Sequence, residues 1–83
     1  MFHEVQKEVM RILRIPMSMV TPDATIYGDL QADSLDFQEL VYSLEQKFDI
    51  EISEEEVARL EYGGTVGDFA SLVERLQSAQ VPA

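Results

Sequence analysis

The sequence predicts an all-α chain: a four-helix bundle with three longer helices, one short third helix and a long loop between the first two. Apolar residues recur at helical spacing in four separate stretches. Two pairs, Ser53 with Glu56 and Thr65 with Asp68, carry the spacing of a capping box and mark the starts of the last two helices. Only Asp49 to Ile52 alternates as a strand would, and that run is too short to compete.

The first helix is read from Phe2, Val5, Val9, Ile12 and Leu13, with Glu4, Lys7, Glu8 and Arg11 on the other side. Arg14 suits the negative end of its dipole, and Pro16 blocks clean continuation. His3, the lone histidine, is expected to be exposed and frayed; Met10 and Met17 are expected as core filler. Residues 15–32 form a long connection with turn signals at Thr21-Pro22-Asp23 and Gly28-Asp29. Ile15, Met17, Val20, Ile26, Tyr27 and Leu30 are enough apolar groups to tack it onto the bundle. A structured connection of that length points to function rather than slack.

The second helix spans about Ser34 to Phe48. Asp33 is placed to cap it and Asp36 suits its positive end. Phe37, Leu40, Val41, Leu44 and Phe48 form its buried stripe, leaving Asp36, Gln38, Glu39, Tyr42 and Glu45 on the open face. In the short third helix Val57 and Leu60 point inward, and Gly63-Gly64 ends it. Val66, Phe69, Leu72, Val73 and Leu76 give the last helix its stripe, and residues 1–2 and 78–83, closing with Pro82, are expected to fray.

Eighty-three residues make one small domain, near the lower limit for unaided folding, where only about 60% of the unfolded surface is buried. With no cysteine there is no disulfide framework and no thiol of the chain's own. The N-terminus lacks a signal pattern, because charged residues interrupt every apolar run, so a cytoplasmic protein without membrane insertion is expected. The net charge is −10, and from Asp23 to Glu61 twelve acids face two bases, Lys47 and Arg59. Such a field repels nucleic acid and steers basic protein surfaces toward the molecule.

The acids surround one serine at a helix start. The string Ala32-Asp33-Ser34-Leu35-Asp36, followed by Glu39-Leu40-Val41, resembles the prosthetic-group site of acyl carrier proteins. Leu44-Glu45 with Phe48, and the downstream acidic capping box, extend the resemblance over nearly the whole chain. The resemblance implies that Ser34, flanked by Asp33 and Leu35, is esterified with 4′-phosphopantetheine. The thiol of that arm carries acyl groups as thioesters for fatty-acid, lipid or polyketide-type biosynthesis. It implies a monomer that serves a phosphopantetheinyl transferase and acyl-handling enzymes with basic docking surfaces. Asp36, Gln38, Glu39, Tyr42, Glu45, Glu55 and Glu56 are the implied docking residues. Leu40, Val41, Leu44, Val57, Leu60 and Phe69 would line a cavity into which an acyl chain slides.

The chain departs from the family pattern at Gln31, where glycine is usual, which implies a different loop path. It departs also at Phe37, Gln38 and Tyr42, and in a longer link through Glu61-Tyr62-Gly63-Gly64. These differences point to a specialised carrier. A peptidyl carrier shares the fold but usually shows Gly-Gly-His-Ser, and an unmodified acidic interaction module would have no need of Asp33 and Ser34. An enzyme fits poorly: one histidine at the N-terminus and no cysteine leave no Ser-His or Cys-His pair near Ser34. No metal is expected, since the acids lack the spacing and glycine of a calcium loop.

Overall fold

The computed structural model describes residues 1–61 and 63–80. Helix α1 spans Phe2–Leu13, α2 Ser34–Phe48, α3 Glu54–Glu61 and α4 Val66–Gln80. A single 3₁₀ turn, Met17–Met19, lies in the α1–α2 connection. The order and relative lengths match the sequence expectation. His3 is exposed but lies within α1, because that helix begins at Phe2. The last turn of α4 includes residues 78–80, while 81–83, with Pro82, lie outside the described residues.

The helix ends follow from local chemistry. Arg14 ends α1 in the left-handed region (φ 57°), its amide donating to the Met10 carbonyl at 2.8 Å before Pro16 turns the chain away. Asp49 ends α2 in the same way (φ 53°), and the amide of Ile50 donates to the Glu45 carbonyl at 3.1 Å. At the start of α4 the capping box is reciprocal. Asp68 N donates to Thr65 Oγ1 at 3.1 Å, and Thr65 N to Asp68 Oδ2 at 3.0 Å. At α3 only half forms: Glu56 N donates to Ser53 Oγ at 3.2 Å, while the Glu56 carboxylate binds Arg59 and Arg75.

The core takes Val5 and Val9 from α1, Phe37, Leu40 and Leu44 from α2, and Val66, Phe69 and Val73 from α4, all essentially solvent-free. Phe48 of the predicted α2 stripe is only partly buried at its edge. Met10 packs against this core as expected. Met17 does not: it is 47% exposed, because the 3₁₀ turn carries it outward and Val20 takes the inward position. Gln6, a buried polar residue of α1, donates from Nε2 to the Val20 carbonyl at 2.8 Å and so fixes the end of that turn.

The rest of the connection is clasped to the α3–α4 junction. Thr25 and Thr65 form an isolated antiparallel bridge. Ile26 N donates to Gly64 O at 3.1 Å, Val66 N to Ala24 O at 2.9 Å and Gly67 N to Pro22 O at 3.0 Å. The loop carbonyls thus satisfy first-turn amides of α4 that have no acceptor within the helix. Gly67 permits the approach, since a Cβ there would meet Pro22 O at 2.9 Å, and Gly64 permits the tight exit from α3, where a Cβ would meet Leu60 O at 2.5 Å.

Helix α1 is tied to α2 through Glu8. Its carboxylate accepts from Arg11 at 2.8 Å and from the Ser43 hydroxyl, with Lys47 at 3.9 Å. The hydrogen bond from Arg11 holds the Glu8 carboxyl below its ordinary value. Burial opposes the shift; the Ser43 bond and the charges of Arg11 and Lys47 reinforce it.

Candidate functional site

The site is built where the connection hands over to α2. The Asp33 side chain accepts from Asp36 N at 2.8 Å, and the Asp36 carboxylate accepts from Asp33 N at 3.3 Å, a complete capping box. The Asp33 carbonyl takes the amide of Phe37 at 3.0 Å. The amides of Ser34 and Leu35 stay outside these bonds, at the positive end of the helix dipole. Ser34 itself is exposed and Leu35 is 75% exposed. An exposed hydroxyl beside free amides suits a phosphodiester, so the donor set fits a phosphopantetheine arm.

Gln31 enters this turn with φ 57°. Sequence comparison with the family pattern predicts a different loop path for a non-glycine residue here. Instead Gln31 occupies the left-handed region that glycine adopts freely, held by Leu30 and Ala32 buried on either side. Ala32 N donates to the Ile26 carbonyl at 3.1 Å, which closes the loop beneath the serine.

The residues predicted for docking divide. Leu35, Gln38, Glu39 and Tyr42 share one exposed face of α2, with Tyr42 63% exposed, and Glu55 is exposed on α3. Asp36 is half-buried and committed to the cap. Glu45 does not stand open as expected: its carboxylate accepts from Ile52 N at 2.8 Å and is half-buried. Glu56 also turns inward, pairing with Arg59 at 3.3 Å and Arg75 at 3.2 Å across α3 and α4. Helical spacing marks a face, but it does not reveal that a neighbouring segment offers a bonding partner there.

Of the predicted cavity residues, Leu40, Val41, Leu44, Leu60 and Phe69 are buried and Val57 is half-buried. A groove of about 350 Å³ lies between α3 and α4, lined by Glu56, Arg59, Leu60, Asp68, Ser71, Leu72 and Arg75, and of the six only Leu60 reaches it.

Two residues near the serine, Tyr27 and Glu61, make a contact that the sequence reading missed. The Tyr27 hydroxyl donates to Glu61 Oε2 at 3.1 Å, joining the loop before α2 to the end of α3. Its ring stacks on Phe37 with centroids 5.5 Å apart, and Phe37 packs on Phe69 at 5.7 Å. Burial raises the Tyr27 phenol above its ordinary value. The nearby Ser34 hydroxyl opposes this, while the Glu61 bond and the charges of Glu61 and Asp33 add to it. Tyr27 therefore stays protonated at neutral pH, donating to Glu61 beside the serine. Tyr27 stands in a loop without periodicity, so only its aromatic character hinted at a packing role.

Among the described residues no helix is long and apolar enough to cross a membrane. A model of the phosphopantetheine attachment-site family matches residues 3–73. An acyl carrier protein of Helicobacter pylori is 38% identical over 74 residues, which cover 89% of this chain and 91% of that protein. With the helical bundle and the capped Ala-Asp-Ser-Leu turn, these similarities show that the chain belongs to the acyl carrier protein family, a phosphopantetheine-bearing carrier and not an enzyme.

Proposed function

We propose that residues 1–83 act as one monomeric carrier domain and that Ser34 bears the arm. The observation that carries this reading is the exposed Ser34 hydroxyl at the first position of α2, held in place by the Asp33–Asp36 capping box. Ser34 supplies the oxygen that is esterified, the free amides of Ser34 and Leu35 face the resulting anion, and Asp33 keeps the turn from fraying. The arm supplies a thiol for acyl transfer, which a chain without cysteine lacks.

Leu35, Gln38, Glu39 and Tyr42, with Glu55 beyond them, form the surface that basic enzyme faces read. Charge pairing of this kind raises encounter rates and selects partners without locking them together, as a shuttling carrier requires. Gln38 and Tyr42 in place of aliphatic side chains favour a specialised pathway of fatty-acid, lipid or polyketide-type synthesis, and the setting we infer is cytoplasmic. The test is intact mass after incubation with coenzyme A and a broad-specificity phosphopantetheinyl transferase. The parent gains one phosphopantetheine and Ser34→Ala gains none; equal gain in both would move the attachment point elsewhere.

A further inference from the structure

We infer that Tyr27, Phe37 and Glu61 close the interior beneath Ser34, so that this carrier holds its acyl cargo outside the bundle and serves short or polar acyl groups. The inference rests on Ser34 as the attachment point and deepens that reading. A chain led from the start of α2 into the core toward Leu40 and Leu44 meets Phe37, one turn before Leu40 on the same buried face of that helix. That level is filled. Phe37 is 1% exposed and its ring lies between those of Tyr27 and Phe69, at 5.5 and 5.7 Å. The three rings run from the loop through α2 to α4. At the outer end of the row the Tyr27 hydroxyl is pinned to Glu61 of α3 at 3.1 Å, bridging the gap between α3 and the start of α2.

Opening the path means separating a stacked pair and breaking a bond to a carboxylate, and the phenol is held protonated in that bond. A short acyl group has little to gain from entry, and a polar one would lose hydration. For both, lying outside is the favoured state. A long alkyl chain would instead remain exposed to water unless a partner enzyme covered it.

The experiment loads the full chain with butanoyl, octanoyl or tetradecanoyl phosphopantetheine from the matching coenzyme A thioesters and confirms each by mass. Two quantities are then read: the rate of thioester cleavage by hydroxylamine, and the amide chemical shifts of Leu40, Leu44, Val57 and Leu60. Cargo outside the bundle gives cleavage rates that agree within about twofold across chain lengths, because no opening step precedes attack. The core shifts then also match those of the unacylated form. Slowing by about tenfold or more for octanoyl, with shifts at Leu40 and Leu44, overturns the inference.

Tyr27→Ala is expected to bring length-dependent protection and core shifts, and a flat profile in that variant overturns the assignment to the aromatic row. If Tyr27→Ala does not fold, the wild-type profile decides alone. A failure to load marks failure of the carrier reading instead. The packing claim is then read in the unmodified chain by titration with n-octanol, which shifts the core amides of Tyr27→Ala and leaves those of the wild type in place. Shifts in the wild type overturn it.

Discussion

The carboxylate of Glu45, near the end of α2, accepts the backbone amide of Ile52 at 2.8 Å. This bond fixes the crossing from α2 to α3 and gives Glu45 a role within the fold. Glu45→Ala is expected to lower stability by about 1.5–3 kcal/mol, the range for a hydrogen bond to a charged group. In a domain of this size each kcal/mol shifts the thermal midpoint by about 4–8 °C. Glu39→Ala, on the open face, should leave stability within about 0.5 kcal/mol while slowing modification by the transferase. Thermal melts and loading rates on both variants check the contrast; equal melting temperatures would return Glu45 to the surface.

Asp33 anchors the start of α2. Asp33→Ala removes the side-chain acceptor for Asp36 N and should cost about 1 kcal/mol of stability. Asp33→Asn restores most of it, since the amide oxygen caps as well. Urea unfolding separates the two, and loading of Ser34 should slow more in the alanine variant because the turn loses its fixed geometry.

Gln31 holds a left-handed backbone, which for a residue with a Cβ is disfavoured by about 1–2 kcal/mol. Gln31→Gly relieves that strain but loosens the unfolded chain, so a net gain of up to about 1 kcal/mol is expected. The readout is the urea midpoint. A drop in midpoint would mean that the Gln31 side chain, and not only its backbone, supports the loop.

Glu8 carries a pH signature. Its carboxyl is held below the ordinary value of 4.5, chiefly by the bond from Arg11. A depressed folded-state value contributes stability that is present above the unfolded-state value and is lost as pH falls through the folded one. Glu8→Gln should therefore melt below the parent at neutral pH, with the difference shrinking as the solution is taken below about 4.5. A difference that stays constant with pH would assign the effect to packing.

Much of the fold was legible because it is written in local pattern. The capping residues Asp33, Ser53 and Thr65 mark starts, Pro16 marks a stop, and the stripes of α2 and α4 point where they were expected to. The Asp33 cap and the exposed start of α2 at Ser34 were legible for the same reason. What escaped depends on contacts and turn geometry that leave no mark in the sequence pattern. The partners of Glu45 and Glu56, Ile52 and Arg75, are set by how segments meet, and no periodicity encodes that. Tyr27 and Glu61 meet only once the loop has folded back, and Met17 turns outward because a 3₁₀ turn, not a helix, sets its direction.

The clasp between residues 22–26 and 64–67 has a mechanical consequence. The amides of Ile26, Val66 and Gly67 are bonded across the two segments, so they exchange with solvent only when loop and helix part together. The loop has no separate opening of its own. Load placed on the turn at Ser34 passes through Ala32 and Ile26 to Gly64, at the α3–α4 junction. The load is shared with that junction, and the turn at Ser34 becomes a fixed mounting.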